Sequence, residues 1–364
     1  MKVLLISPYS GVIGGISKWT KHIISHFEKS DEDLQIELFD FSRAVNGQTI
    51  SSDIRRVCLA VKEYSCLTYR ALRSIIKSDS GVVHICTSAS YLLFKDILLV
   101  LISRICGKKS VIHFHFGRIP ELADGVSLEW ILLRFLLIIS NMAIVLDSAS
   151  LEALHNKNIN NVRILPNPLS AEVVDIIDSN SGIVRDPYTL VFCGHVIETK
   201  GVFELVDACK QIPDIKLKLY GCVSEDMKLK LREHLNGSDD SWMCVLGEQD
   251  YETVIKGMLS AGVFVLPTYT EGFPNVILES MACRCPIVAT NVGAIPEMLN
   301  IYSDNQCGIC VKPRDVDELR DAIITMLTSV DMAGKYAENA RTRVISMYSM
   351  PQVANALVGI WKQI

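Results

Sequence analysis

The sequence predicts an α/β protein of two doubly wound domains, each a parallel sheet with helices on both faces. Short apolar runs alternate with helical patterns from the first residues onward. A polar segment interrupts this alternation near the middle of the chain, and the same alternation then starts again. The length of 364 residues also fits roughly two domains.

The first domain is predicted over residues 1–170. Its expected strands are short runs rich in apolar residues that alternate with helical patterns, which is typical of a parallel sheet covered by helices on both faces. These strands are VLLIS, IELFD, VVHIC, SVIHFHF and Met142–Leu146, with helices near Gly15–Phe27 and Ile54–Ile76.

The second domain is predicted over residues 171–349, and the polar segment Ile177–Pro187 is the best candidate for a linker. Its expected strands are TLVFC, IKLKLYG, WMCVLG, GVFVLP and CPIVAT, with helices that follow Val202, Glu225, Tyr251 and Phe273. A last helix at about 350–364 carries Trp361 and is expected to pack back on the first domain. Because such sheets bind ligands beyond the carboxyl ends of their strands, the two domains are expected to face each other across a cleft.

The charge balance excludes one class of partner. The 36 basic and 41 acidic residues are mixed along the chain, and no long basic run marks a nucleic-acid surface. The initial MKVLLIS is too short for the apolar core of a signal peptide and reads as a buried strand. We therefore expect a cytoplasmic protein.

Two apolar stretches raise the question of a membrane. They cover Leu92–Cys106 and Trp130–Leu146, and charged residues such as Arg104 and Arg134 interrupt them. Neither reaches the roughly 20 apolar residues of a spanning helix. Core helices are the first interpretation, and a face that lies on the inner surface of the cytoplasmic membrane is the alternative.

Twelve cysteines in a chain without an export signal are expected to be reduced thiols. Cys283 and Cys285, followed by Cys307 and Cys310, have close spacings that suggest zinc. The first pair is too tightly spaced for a usual zinc knuckle, and the second flanks an expected turn. No metal site is predicted.

A glycine-rich loop, Ser10–Ser17, follows the first strand and opens a helix. Gly14 and Gly15 lie where backbone amides could hold a diphosphate at the helix N-terminus. The loop matches neither the dinucleotide fingerprint nor the phosphate-binding loop with its Lys-Ser/Thr. A tight turn without a ligand therefore remains an alternative.

Two histidines share one face of the fourth strand. His113 and His115 are two residues apart, and strand side chains alternate between faces. His115 is nearer the carboxyl end of the strand, where ligands bind. The alternative is a pair of hydrogen-bonded core histidines.

The segment FCGHVIETKG opens the second domain and ends its first strand at Gly194. Lys200 lies just before the next helix, where an ammonium group can bind a phosphate. A solvated loop lysine is the alternative.

The segment TYTEGFPNVILESMA, Thr268–Ala282, places Glu271 before a predicted helix and Glu279 inside it. Pro274 suits the first turn of that helix, so the amides around it can hold an anion. Carboxylates repel an anion but accept hydrogen bonds from neutral hydroxyls. A diphosphate with sugar hydroxyls on one side and ribose hydroxyls on the other fits this layout.

These motifs together resemble the retaining glycosyltransferases of family four, which have the GT-B architecture of two Rossmann-like domains. The likeness rests on EGFPNVILE, GHVIETKG, PNPL at Pro166–Leu169, the Gly14–Gly15 loop and His115, which follow the family's order over nearly the whole chain.

The resemblance implies a role for each matching residue. His115 and Glu271 are similar to the family's residues at the reacting sugar, and Asn167 resembles a structural asparagine at the domain junction. The donor-binding residues that the resemblance implies are Gly14, Gly15, Gly194, His195, Lys200, Gly272, Phe273, Pro274, Asn275, Val276 and Glu279.

His195 departs from the family pattern, which has arginine after the glycine. Arginine is always charged and grips phosphate with a planar fork, whereas histidine is only partly charged near neutral pH. Either another cation such as Arg118 compensates, or donor binding depends on pH.

The resemblance implies transfer of a sugar, with retention, from a nucleoside-diphosphate sugar, with UDP as the expected nucleotide. The acceptor would be a saccharide or a lipid-linked saccharide of a surface polysaccharide, and no metal or other cofactor is expected. A nucleotide-sugar 2-epimerase and a non-catalytic sugar-nucleotide binding protein are the alternatives.

Overall fold

The computed structural model describes residues 1–10, 14–29, 34–42, 53–235, 237 and 240–364. The chain divides into two compact units. The first unit comprises Met1–Asn167 and Val353–Ile364, and the second comprises Pro168–Gln352. Each unit contains one parallel sheet, as the alternating pattern predicts.

The first unit has a six-stranded sheet in the order β2-β1-β3-β4-β5-β6. The strands are short, and the first five coincide with the runs expected from the sequence. They are β1 (Lys2–Ser7), β2 (Gln35–Asp40), β3 (Val82–Thr87), β4 (Lys109–Phe114), β5 (Met142–Val145) and β6 (Val162–Ile164).

The helices of the first unit connect these parallel strands. They are α1 (Gly15–Glu28), α2 (Asp53–Lys77), α3 (Leu93–Ile105), α4 (Ile119–Asp124), α5 (Leu128–Ile139) and α6 (Ser148–Asn156). One face of the sheet packs against α2, α3 and α5 through a continuous apolar cluster that includes Leu4, Ile85 and Ile112.

Helix α1 packs on polar side chains of β3 and β4. Because strand side chains alternate, His84, Cys86 and His113 point to the face opposite that apolar cluster. Trp19 of α1 stacks on His84 with a centroid separation of 5.8 Å. The core under α1 is therefore partly polar.

The second unit has a six-stranded sheet in the order β12-β11-β10-β7-β8-β9. Its centre is the pair of adjacent strands β7 and β10, whose carboxyl ends meet at one edge. The strands are β7 (Asp186–Cys193), β8 (Lys216–Tyr220), β9 (Met243–Gly247), β10 (Ala261–Leu266), β11 (Ile287–Thr290) and β12 (Ile309–Val311).

The remaining helices belong to the second unit, apart from most of the last one. They are α7 (Ala171–Ser179), α8 (Val202–Cys209), α9 (Glu225–Leu235), α10 (Tyr251–Ser260), α11 (Asn275–Ala282), α12 (Ile295–Met298), α13 (Val316–Thr328), α14 (Val330–Met347) and α15 (Met350–Lys362). From Val353 onward α15 groups with the first unit, where Trp361 Nε1 donates a hydrogen bond to His84 Nδ1 at 2.9 Å.

The boundary between the units differs from the expected linker. The units separate between Asn167 and Pro168, whereas Ile177–Pro187 lies within the second unit and spans the end of α7 and the start of β7. Ile177 is buried in α7, and Asp186 begins β7. The polar residues of this segment end a helix and start a strand, which explains why their composition resembles that of a linker.

The two apolar stretches form α3, α5 and β5. Each of the two helices has a buried face in the core of the first unit. Among the helices in the described ranges, none combines the length and apolarity needed to cross a bilayer.

Candidate functional site

Lys200 and Glu271 form an ion pair at the carboxyl ends of β7 and β10. Both side chains are largely shielded from solvent, and Lys200 Nζ donates to Glu271 Oε1. Seventy-one residues separate them in the sequence, and the parallel pairing of their strands brings them together. The structure thus joins two of the predicted site residues directly.

The loop before α8 is fixed against the loop that follows β10. Tyr269 donates its backbone N–H to Thr199 O at 2.9 Å. Gly201 adopts a φ of +69°, and a Cβ at that position would lie 2.0 Å from Pro267 O. Only glycine allows this approach, so the backbone holds Lys200 in place beside Glu271.

A second close approach fixes Glu271. Gly293 has a φ of +55°, and a Cβ there would lie 2.2 Å from Glu271 O. Ala294 N–H also donates to Gly272 O at 3.0 Å. The backbone of Glu271 and Gly272 is therefore held by the loop that follows β11.

Helix α11 begins directly after this loop. Pro274 is its N-cap residue and Asn275 is its first helical residue. The helix therefore begins one position later than the sequence prediction, which placed Pro274 in the first turn. A helix N-terminus carries partial positive charge, which favours an anion. Asn275 and Val276 are half-buried, whereas the side chain of Phe273 is buried against Tyr348. Phe273 thus contributes its backbone to this surface, while its ring anchors the loop.

Glu279 lies in the second turn of α11 and is only 6% exposed. Its Oε1 accepts a hydrogen bond from Tyr251 Oη at 2.8 Å. Burial, followed by the charge of Glu279, raises the pKa of Tyr251 well above its usual value, so the phenol stays a hydrogen-bond donor. A carboxylate can accept further hydrogen bonds from hydroxyl groups.

Tyr251 was not predicted from the sequence. It lies 28 residues before Glu279, at the start of α10, and nothing in its neighbourhood marks it. Arg314 was also missed, although its guanidinium lies 4.4 Å from the ring of Tyr269. Both contacts depend on tertiary packing, which a local pattern does not reveal.

Gly194 and His195 follow β7. Gly194 has a φ of +153°, and its N–H donates to Tyr220 O at 2.9 Å. His195 is exposed. Arg118, the cation expected to compensate for it, belongs to the first unit and pairs there with Glu129 at 3.2 Å.

The glycine-rich loop is described at both ends, while residues 11–13 lie outside the described part. Gly14 caps α1, and its N–H donates to Ser17 Oγ at 2.8 Å. This hydrogen bond occupies the Gly14 amide that was expected to bind a phosphate, because Ser17 closes a capping box. Gly15 is the first helical residue, with open space around its Cα.

His115 lies just beyond β4 in a cluster of aromatic rings. Its ring centroid is 4.0 Å from that of His113 and 5.1 Å from that of Trp19. Burial lowers the pKa of His115 to about 3. Its imidazole is therefore neutral near pH 7 and can exchange hydrogen bonds with a hydroxyl group.

The absence of a metal stays a prediction, and two groups of side chains have the chemistry of metal ligands. Cys283, Cys285 and Cys307 are buried with raised thiol pKa values, because burial disfavours the thiolate. In the described ranges, only His84, Cys86 and His113 gather ligand atoms within 4.8 Å. His84 Nδ1 already accepts the Trp361 N–H, so its neutral ring carries the proton on Nε2 and offers no lone pair. This trio thus supplies too few ligands for a metal site.

Comparison with known proteins finds a family match for part of the chain. Residues 173–343 match the family model described as glycosyl transferases group 1. The second unit resembles the group 1 glycosyl transferases. The segment of this chain that matches group 1 contains Lys200, Tyr251, Glu271 and Glu279.

Two curated relatives match less than half of this chain. The chain is 29% identical over 178 residues to an MMP alpha-(1->4)-mannosyltransferase of Mycolicibacterium hassiacum, covering 46% of this chain and 41% of that protein. It is 26% identical over 179 residues to the capsular polysaccharide biosynthesis glycosyltransferase CapM of Staphylococcus aureus, covering 46% and 44%. The matches span less than half the length of each relative.

The fold resembles that of the Anabaena protein HepE in complex with UDP. The TM-score is 0.75 at 17% identity, and the match covers 100% of both chains. This likeness confirms the predicted fold class, α/β with two Rossmann-like units of the GT-B type.

Proposed function

We propose that this protein is a retaining glycosyltransferase that uses a nucleoside-diphosphate sugar, with UDP as the nucleotide. The observation that carries the proposal is the Lys200–Glu271 ion pair at the start of α11, within the group 1 segment. The likeness to HepE, a protein that binds UDP, supports the choice of nucleotide.

The donor is proposed to bind along the carboxyl edge of the second sheet. Lys200 and the first amides of α11 would neutralise the diphosphate, since both present positive charge at one place. Glu279, oriented by Tyr251, would accept hydrogen bonds from the ribose hydroxyls. Gly194, His195 and the backbone of Gly272 to Pro274 complete the proposed contacts.

Glu271 has two proposed roles. It accepts a hydrogen bond from a hydroxyl of the donor sugar, and its carboxylate pairs with Lys200 until a diphosphate displaces it. A diphosphate would compete with this carboxylate for the ammonium group. Transfer and nucleotide binding should therefore respond differently to the loss of Glu271.

The proposed transfer needs no protein nucleophile. The acceptor oxygen forms the new bond to the anomeric carbon as the bond to the leaving phosphate breaks, and the phosphate oxygen takes the acceptor proton. The protein contributes positioning and stabilises the charge that grows on the diphosphate. Because Lys200 and the helix amides supply positive charge, we propose that the reaction is metal-independent.

A neutral His115 from the first unit is proposed to bind a sugar hydroxyl, and Gly15 remains a proposed hydrogen-bond donor to the diphosphate.

The proposed acceptor is a hydroxyl of a saccharide or a lipid-linked saccharide. A relative whose name assigns it to capsular polysaccharide biosynthesis supports this class. Such an acceptor would place the protein at the inner face of the cytoplasmic membrane.

A donor panel tests the proposal. Purified protein is incubated with UDP-sugars and GDP-sugars, with and without a saccharide acceptor, and nucleotide release and sugar products are followed. We expect UDP release that depends on the acceptor. An epimerised sugar without transfer, or tight binding without turnover, would contradict the transferase assignment.

A further inference from the structure

Helices α3 and α5 carry an unusual surface. They pack beside each other on the first sheet, with buried faces that include Leu99 and Leu136. Their ten exposed positions hold eight large apolar side chains and two arginines, with no acid and no neutral polar residue. We call these positions the α3–α5 face: Phe94, Leu98, Leu101, Arg104, Ile105, Leu128, Ile131, Arg134, Phe135 and Ile138.

The exposure of this face is substantial. Ile105 is 78% exposed and Ile138 is 62% exposed. The residues recur every three or four positions on each helix, so they form two adjacent stripes. Contiguous apolar surface of this kind marks an interaction site in a soluble protein, whereas single exposed apolar residues do not.

Helix α9 of the second unit shows the contrast. Its exposed positions are Glu225, Asp226, Leu229, Lys230, Arg232 and Glu233, which mix both signs of charge around one leucine. This is the usual composition of a solvated helix. The α3–α5 face therefore does not follow from a general excess of apolar residues on the protein surface.

On the side of α2 the exposed charges beside the face share one sign, whereas α4, which contacts α5, exposes Glu121 and Asp124. Helix α2 packs beside α3, and its exposed residues from Val61 onward include four bases and no acid: Lys62, Arg70, Arg73 and Lys77. Glu129, at the start of α5, is partly buried and pairs with Arg118. Apolar side chains set among cations fit a surface that has an apolar interior and anionic headgroups.

We propose that the α3–α5 face docks on an anionic membrane surface. The apolar side chains would enter the boundary between headgroups and acyl chains, and the arginines and the α2 bases would contact the headgroups. A second copy of the chain is the less favourable occupant. A two-fold interface would place Arg104 and Arg134 of both copies against a face without carboxylates.

Vesicle co-sedimentation tests this inference. We expect the purified protein to bind phosphatidylcholine vesicles that contain phosphatidylglycerol, and to bind phosphatidylcholine alone much less. Added salt should weaken binding, because exposed charges are screened. Failure to bind the anionic vesicles overturns the proposal.

Matched variants locate the binding surface. Arg104→Gln with Arg134→Gln should lower the partition coefficient ~30-fold, from roughly 1 kcal/mol per basic residue near an anionic surface. Ile105→Ser with Ile138→Ser should lower it on the order of 100-fold, because two large apolar side chains leave the interface. The control is Leu229→Ser with Arg232→Gln on α9, which should bind like the wild type. Melting curves confirm that each variant is folded.

Three outcomes separate this inference from the transferase proposal and from a dimer. Acceptor-dependent UDP release with a soluble acceptor should be unchanged in every one of these variants. Vesicle binding without turnover supports the membrane face and contradicts the transferase. A dimer that the isoleucine variant converts to monomer, with equal vesicle binding by all proteins, overturns the membrane face and assigns it to a second copy.

Discussion

The hydrogen bond between Tyr251 and Glu279 gives a residue-scale prediction. Tyr251→Phe removes one donor from a buried carboxylate, and hydrogen bonds to charged groups contribute about 1.5–3 kcal/mol. If this bond orients Glu279 toward the ribose, the Kd for UDP should rise at least about tenfold. Isothermal titration calorimetry measures the change.

Two controls separate orientation of Glu279 from a general loss of structure. Tyr188→Phe changes an exposed tyrosine of β7 and should leave the affinity unchanged. UDP that lacks both ribose hydroxyls should bind the wild type and Tyr251→Phe equally. An equal loss of affinity for both nucleotides would assign Tyr251 a purely structural role.

Individual residues also show how far the sequence prediction reached. Lys200 and Glu271 were both singled out as ligand contacts, yet their direct pairing was not, because it depends on the adjacency of β7 and β10 in the sheet. The capping role of the Gly14 amide was missed for a similar reason. A glycine-rich loop shows where backbone can approach a ligand, but it does not show which amides are already bonded.

At the scale of the elements, the loop after β11 should be intolerant of a side chain. Gly293→Ala adds a Cβ at a positive φ, within 2.2 Å of Glu271 O. We expect a loss of about 1–3 kcal/mol in the free energy of unfolding and a fall in transfer activity, because Glu271 shifts. Gly81→Ala, where nothing lies within 4 Å of the added Cβ, is the control. Wild-type stability and activity in Gly293→Ala would refute the proposed close contact.

The polar core under α1 makes the first unit sensitive to acid. Burial, then the charge of His115, lowers the pKa of His84 to about 3, whereas an unfolded histidine titrates near 6.5. The contribution of His84 to the free energy of unfolding is fully present above about pH 6.5. It is lost as the pH falls toward 3, because only the unfolded histidine takes up a proton in that range. At pH 5 the loss from His84 is about 2 kcal/mol.

Urea unfolding between pH 8 and pH 5, followed by tryptophan fluorescence, measures this loss. His84→Gln keeps an acceptor for Trp361 without the titration, so its stability should fall less with acid. His155→Gln, at the exposed end of α6, should follow the wild type. Parallel pH profiles for all three proteins would show that His84 does not carry the acid sensitivity.

For the molecule as a whole, the two-sheet architecture was predictable because both halves repeat one simple pattern. Buried strands such as β5 and β10 are continuous apolar runs, and their helices carry one apolar face each. The same periodicity identified the apolar character of α3 and α5. It did not reveal that their exposed faces are apolar as well, because the burial of each position depends on how the helices sit on the sheet.

The central claim is that Glu271 serves transfer while Lys200 holds the diphosphate. The most direct measurement compares UDP affinity and acceptor-dependent UDP release in Glu271→Ala and Lys200→Ala. We predict that Glu271→Ala loses at least about 100-fold in transfer rate and binds UDP as tightly as the wild type or more tightly, whereas Lys200→Ala loses UDP affinity. Full transfer activity in Glu271→Ala, or equal loss of UDP binding in both variants, would contradict the account.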